Sequence, residues 1–145
     1  MRVMVLVKAT ADSEKGFDPT PEAMEAMQAM DKFNDELVAA GIRRAVGGLK
    51  PSSEAKRIAF DGQSRTVIEG PFDPPGELVA GFWIWECKSL QEAIDWAKKC
   101  PRPHNDDSEL EIRQIFAPED FGDVAPEVIA REEEMRREFE ARKKT

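Results

Sequence analysis

The feature that most constrains the fold is an apolar run at residues 78–85, Leu-Val-Ala-Gly-Phe-Trp-Ile-Trp. It follows a turn at residues 69–72 that reads Glu-Gly-Pro-Phe. A strand with one face in water alternates apolar and polar side chains. Neither this run nor the run at residues 3–7, Val-Met-Val-Leu-Val, alternates. Both runs are therefore expected in a sheet that is covered on both faces.

The two faces of the second run carry different aromatic residues. Trp83 and Trp85 fall on one face, and Phe82 and Ile84 fall on the other. Each large side chain left in water forgoes about 1.5–3 kcal/mol. Only two helices are predicted next to this sheet, and they can cover one face. The natural cover for the other face is the same sheet of a second copy, so the sequence predicts a sheet-to-sheet homodimer.

The remaining pattern gives the order of the elements. Strands are predicted at 2–8, 42–49, 78–87 and 109–116, helices at 21–40 and 90–100, and a hairpin at 57–60 and 66–68 around Asp61-Gly62. The apolar faces of the two helices are formed by Ala23, Met27, Met30, Phe33, Leu37 and Ala40, and by Leu90, Ala93, Ile94 and Ala97. This order predicts an α+β, ferredoxin-like split βαβ fold with an inserted hairpin.

Residues 118–145 are predicted to form a segment separate from the sheet domain. A Gly/Pro-containing turn leads into a charged helix at 127–144, in which Glu precedes a basic residue by four positions several times. Its apolar seam is thin. The helix is predicted either to project into solvent or to pack onto the partner subunit. We therefore divide the chain into a domain at 1–117 and a linker with a helical tail at 118–145.

Composition narrows the class of function. The chain has 145 residues and a net charge of −8, which disfavours binding to the phosphates of nucleic acid. Its first strand is too short to span a membrane or to serve as a signal-peptide core. The two cysteines, Cys87 and Cys100, form no CxxC motif. We expect a cytoplasmic protein without a metal, a cofactor or a membrane partner.

Several segments carry a resemblance to a known family. They are Val-Ile-Glu-Gly-Pro-Phe at 67–72, Ala-Gly-Phe-Trp at 80–83 and the Ser-capped helix from Ser89 to Cys100-Pro101. With the first strand and helix, they resemble the YCII-related family, in its branch with an Asp-Gly-Pro-Phe signature. The resemblance covers residues 1 to about 117. It implies a dimeric α/β barrel.

The chain departs from the family pattern in three ways. Glu69 replaces the Asp of the signature, and Pro-Pro-Gly at 74–76 replaces the usual polar residues after it. Some related members are thought to use a His–Asp pair with the His on the first helix. Residues 21–40 contain no His, so that role does not carry over.

Acid–base chemistry through a histidine would have to use His104, because it is the one histidine in the chain. Asp106 and Asp107 are close enough in sequence to orient it. The alternative is an exposed loop histidine without a chemical role. Glu69 is the second candidate, either as a general base in a cleft or as an acceptor that holds the Gly-Pro turn.

The predicted ligand-binding residues are Arg113, Glu111, Trp83, Trp85 and Phe72. Arg113 would anchor an anionic group if its strand face points into the barrel, and the alternative is an ion pair with a neighbour. The tryptophans would contact a flat ligand, or serve only as core.

These residues support a homodimer that binds a small molecule between its sheets. The alternative is a small lyase or isomerase that acts on a lactone-like substrate, with His104 and Glu69 as acid and base. A third hypothesis is a regulatory protein whose tail helix binds a partner. Whether the protein is an enzyme, and which ligand it takes, stay open at this stage.

Overall fold

The computed structural model describes residues 1–123 and 126–143, and the side chains of these residues except that of Lys143. Predictions for residues 124, 125 and 144 lie outside the described residues. The chain divides into two compact units, residues 1–115 and 116–145. Each unit is described by itself below.

The first unit contains six strands and two helices. They are β1 (Arg2–Lys8), α1 (Pro21–Ala39), β2 (Arg43–Gly48), β3 (Lys56–Asp61), β4 (Ser64–Glu69), β5 (Val79–Glu86), α2 (Leu90–Lys98) and β6 (Leu110–Gln114). A four-stranded sheet has the order β2-β5-β1-β6, and every neighbouring pair is antiparallel. The predicted α+β class and the split βαβ order of elements are confirmed.

Both helices begin where the sequence predicts. The Thr20 side chain accepts a hydrogen bond from the Ala23 N–H, with Pro21 in the first turn. The Ser89 hydroxyl accepts from the Glu92 N–H at 3.1 Å. The Glu92 carboxylate in turn accepts from the N–H of Lys88, the residue before the cap, which ties the first turn of α2 to the segment that leads into it.

The core lies between the sheet and the two helices. Val5 and Trp85 are fully buried there, and the Phe33 and Trp83 rings meet edge to face with centroids 6.0 Å apart. Leu37 of α1 and Ala93 of α2 complete the cover. Trp83 and Val5 are direct cross-strand partners, so the alternation of β1 and β5 points one set of side chains at both helices.

The other face of the sheet is also apolar but is only half-buried. Met4 lies opposite Ile84 and Leu6 lies opposite Phe82. We call these four side chains the open face. The Phe82 ring lies over Gly47 of β2, where an added Cβ would be 2.7 Å from the ring.

Three residues of the predicted apolar helix faces are exposed, Met27, Ala40 and Leu90. Met27 is 53% exposed and Leu90 is 45% exposed. The 19 residues of α1 make a rod about 28 Å long, and its buried residues, Phe33 and Leu37, lie in the second half. The first half extends past the core, so helical spacing alone overestimated the buried face.

The inserted hairpin forms a separate two-stranded sheet. Strands β3 and β4 are antiparallel, with Asp61 opposite Ser64 and Gly62 at a positive φ of 56° in the turn. This confirms the predicted Asp-Gly hairpin, with strands longer than expected. Its side chains are mostly exposed.

The second unit contains a short helical turn at Pro118–Phe121 and a helix, α3, at Pro126–Lys143. The Phe116 and Phe121 rings are in tilted contact, with centroids 5.1 Å apart and an interplanar angle of 36°. The Ala117 N–H donates to the Asp120 carboxylate at 2.7 Å. The predicted charged tail helix is confirmed over the described residues.

Candidate functional site

The signature turn is held by close backbone packing at Gly70. An ideal Cβ on this residue would lie 1.7 Å from the Ser52 carbonyl oxygen. The Gly70 N–H donates to the Ala55 carbonyl at 2.9 Å. A side chain at this position would displace the segment at 52–55, which explains why the signature requires glycine.

Ser52 is the polar centre beneath this turn, and it is buried. Its hydroxyl donates to the Glu14 carboxylate and accepts from the Phe72 N–H at 3.0 Å. The Glu14 carboxylate also accepts from the Ser52 N–H at 3.1 Å. Sequence reasoning missed both residues, because the loop after β1 and the turn before β3 meet only in the fold.

Phe72 and Glu69 have clear local partners. Phe72 is 9% exposed, and the Arg57 guanidinium lies 3.8 Å from its ring centroid, a cation–π contact. Glu69 forms an ion pair with Lys56, its direct partner across the hairpin, and its side chain is 67% exposed. The role of Phe72 in ligand binding stays a prediction, and so does the role of Glu69 in catalysis.

His104 is half-buried and bonded to the end of β1. Its Nε2 lies 3.1 Å from the Lys8 carbonyl oxygen. A carbonyl oxygen only accepts, so Nε2 carries the proton in this contact and Nδ1 is the nitrogen left for acid–base chemistry. The histidine loop therefore lies against the segment that follows β1.

Asp106 is the carboxylate beside His104. A hydrogen bond from the Thr10 hydroxyl, with others from backbone N–H groups including that of Asp12 at 3.2 Å, and the nearby His104 hold the pKa of Asp106 below its usual value. Its Oδ1 is buried and has no hydrogen-bond partner among the described residues. Asp107 instead forms an exposed ion pair with Arg102 at 3.1 Å.

The two charged candidates on β6 lie on the open face. Arg113 is the cross-strand partner of Met4, and Glu111 is the partner of Leu6. Direct partners in an antiparallel pair share a face. Both charged side chains are exposed, so they flank the apolar open face at its β6 edge.

The tryptophans lie on the opposite, helix-covered face. Trp83 donates its Nε1–H to the Asn34 side chain at 2.9 Å. The Trp85 Nε1–H has no partner among the described residues. Phe82, not Trp83, occupies the open face, and contact of either indole with a ligand stays a prediction.

Neither cysteine has a reactive setting. Burial raises the pKa of the Cys100 thiol to about 11, and its Sγ donates to the Pro101 carbonyl. Burial also raises the pKa of Cys87. With a pKa of about 11, the Cys100 thiol is protonated near neutral pH, which makes it a poor nucleophile.

A shallow groove of about 330 Å³ lies at the end of α2, with Cys100, Arg102 and Asp107 in its lining.

The described residues contain neither a metal-binding cluster nor a helix that could span a membrane. No group of three or more His, Cys, Asp or Glu side chains in the described part of the chain is arranged to hold a metal ion. Within residues 1–123 and 126–143, no helix combines the length and apolar character needed to cross a bilayer.

The fold and the signature turn define an α+β protein with a four-stranded antiparallel sheet and a separate two-stranded hairpin. The YCII-related domain family matches residues 1–118, and the chain belongs to this family. A curated relative is an uncharacterised protein, R00369, from Rhizobium meliloti (strain 1021). It is 27% identical over 94 residues, which cover 65% of this chain and 76% of that protein.

Proposed function

We propose that the protein is a homodimer that binds a small organic molecule between the open faces of two sheets. The observation that carries this proposal is the open face itself, where Met4, Leu6, Phe82 and Ile84 are half-buried on a sheet whose other face is fully packed. A second copy would cover these side chains in the manner of a dimeric α/β barrel. The two unpaired cysteines suit a reducing compartment such as the cytoplasm.

The charged residues at the edge of the open face suggest the class of ligand. Arg113 and Glu111 stand beside Met4 and Leu6. A ligand with an apolar body and one anionic group would place its body on the open face and its anion on Arg113.

Dimerisation is tested by light scattering at micromolar concentrations. The wild type should be a dimer, and Ile84→Asp should be a folded monomer, because a carboxylate in the interface would lose its hydration. Val128→Asp, an exposed position in α3, is the control and should stay dimeric. A monomeric wild type would remove the structural basis of the proposal.

Ligand binding is tested with 8-anilinonaphthalene-1-sulfonate, which combines an apolar body with an anion. Its fluorescence should rise on the wild-type dimer. Arg113→Gln should weaken binding about tenfold, because one charge-assisted contact is lost. Arg136→Gln, on α3, is the matched control and should bind as the wild type does. Equal affinities in all three proteins would contradict the predicted anchor.

A second candidate function, a lyase or isomerase acting on a lactone-like substrate, is favoured by one observation. Asp106, an ionised carboxylate at neutral pH, lies beside His104, whose Nε2–H is held by the Lys8 carbonyl. His104 Nδ1 would move the proton, with Arg113 as the anchor and Glu69 as the second acid–base group predicted from the sequence.

The enzyme proposal is tested by following deuterium incorporation into an unsaturated γ-lactone in D₂O. Exchange catalysed by the wild type should be lost in His104→Gln. Glu69→Gln and Asp106→Asn then show which carboxylate works with His104. Substituting that carboxylate should reduce the exchange rate by about 10²-fold or more, the scale of a general acid–base contribution. Absence of exchange above the buffer rate would end the proposal for this class of substrate.

A further inference from the structure

The hairpin presents an apolar face to solvent. Ile58 lies opposite Val67, and Phe60 lies opposite Arg65, so all four side chains share one face. Phe60 is 73% exposed, and Ile58 and Val67 are also exposed. We call this set, with the Lys56–Glu69 ion pair at its base, the hairpin face.

The opposite face of the hairpin is anchored within the chain. Arg57 lies over the Phe72 ring, and Ile68 is its cross-strand partner. The two strands form their own sheet, separate from the four-stranded one. An isolated two-stranded hairpin is marginal in water, so a surface that covers the hairpin face would stabilise it.

The charge of the hairpin differs in sign from that of the rest of the chain. Residues 56–69 contain three basic and two acidic residues, a net charge of +1, whereas the whole chain carries −8 and the remainder therefore −9. On the hairpin face Lys56 is ion-paired with Glu69, so the net positive charge of the face comes from Arg65, whose guanidinium lies 4.5 Å from the Phe60 ring centroid. Its complement is an apolar surface with acidic neighbours.

One flank of α1 has this composition. Met24, Met27 and Val38 are exposed, and Asp31 and Asp35 lie between them. The five positions are separated by steps of three or four residues, so they form one stripe along the helix. We call this stripe the α1 flank. The hairpin face and the α1 flank are both exposed within one chain, so neither covers the other.

We propose that the hairpin face of one copy docks on the α1 flank of a second copy. The apolar side chains would pack together, and Arg65 would meet Asp31 and Asp35. This interface is separate from the open face and weaker than the sheet-to-sheet dimer, so it is little populated at the micromolar concentrations of the light-scattering test and stands or falls independently of it.

Cross-linking between differently labelled copies tests the proposal. A Val67→Cys protein labelled with ¹⁵N is mixed with an unlabelled Met27→Cys protein, both in a Cys100→Ser background, and oxidised mildly. A disulfide between positions 67 and 27 can form only between two copies. Met135→Cys, an apolar position of similar exposure on α3, replaces Met27→Cys as the control. The 67–27 disulfide should exceed the 67–135 disulfide at least tenfold by peptide mass spectrometry.

Equal yields of the two disulfides would overturn the proposal, and so would a predominance of links between two copies of position 67. A charge reversal tests the same contact. Arg65→Glu on the first protein should reduce the 67–27 yield several-fold at low salt, and Asp31→Lys on the second should restore it. Asp95→Lys, on α2, is the matched control and should not restore the yield. Failure of the Asp31→Lys rescue would also contradict the assignment.

Discussion

The two faces of the central sheet carry almost the same kind of side chain but have different surroundings. On one face, Val5 and Trp85 are fully buried under α1 and α2. On the other, Leu6 and Ile84, one residue along each strand, are half-buried. Apolar character therefore shows that a face needs a cover, and only the packing of the helices shows which face has one inside a single chain.

The largest expected difference is between Trp85→Ala and Phe82→Ala. Trp85→Ala should lower the free energy of unfolding by about 3–5 kcal/mol, because it leaves a large cavity in a packed core. Phe82→Ala should cost less, since its side chain is only half-buried in one copy. Urea denaturation followed by far-UV circular dichroism gives both values.

Protein concentration sharpens this comparison. The cost of Phe82→Ala should grow with concentration if a second copy buries the open face, because unfolding is then coupled to dissociation. The cost of Trp85→Ala, measured relative to the wild type at each concentration, should change little. If the cost of Phe82→Ala did not change with concentration, no second copy would bury the open face. That face would then either be as buried as the other within one chain or stay in water.

An intermediate effect is expected at Gly47 of β2, which lies against the Phe82 ring of the open face. Gly47→Ala would place a Cβ 2.7 Å from the Phe82 ring, which must move. We expect a loss of about 1–3 kcal/mol in the free energy of unfolding. Gly48→Ala is the matched control, because its Cβ would meet no atom within 4 Å. Adding Phe82→Ala should remove most of the Gly47→Ala cost, and additive losses would contradict the contact.

The smallest effect is expected at Asp106, which contacts the loop that follows β1. Unlike the effects on the two faces of the sheet, this effect on stability should depend on pH. The pKa of Asp106 is lowered in the folded state, chiefly by the Thr10 hydroxyl. Its ionised form therefore adds stability above the unfolded pKa of about 4, and this contribution is lost as pH falls through the folded pKa. Asp106→Asn should be less stable than the wild type at pH 7, and the gap should close at acidic pH.

The apolar variants supply the contrast for this pH test. Trp85→Ala removes no titratable group, so its cost relative to the wild type should be similar at pH 7 and pH 4. Asp107→Asn is the matched carboxylate control, because its ion pair with Arg102 is exposed and contributes little. A gap for Asp106→Asn that persists unchanged below pH 3 would contradict the role of the charged form.

The sequence predicted the elements well because their signals are local. The Thr20 and Ser89 caps, the Asp61-Gly62 turn and the unalternating β1 and β5 are all read from neighbouring residues. The exposed half of α1 was not predicted, because spacing shows which side of a helix is apolar and not how far along the helix the core extends. Met27 illustrates this limit.

The candidate site was predicted only in part. His104 was found because it is the sole histidine, but the choice of Asp106 over Asp107 as its neighbour required the fold. Ser52 and Glu14 were missed, since they are 38 positions apart and meet beneath the signature turn. The requirement for glycine at position 70 comes from the Ser52 carbonyl, which no local pattern reveals.

The order of strands and helices along the chain and the need to cover two apolar faces were determined by the sequence, because propensity, capping and periodicity act over a few residues. The tertiary structure decided which face the helices cover, which carboxylate accompanies His104, and which helix and hairpin surfaces are left exposed. Those outcomes depend on contacts between segments far apart in the chain. The apolar run that follows the Glu-Gly-Pro-Phe turn specifies a strand, and its packing leaves Phe82 and Ile84 half-buried on the face that the helices do not cover.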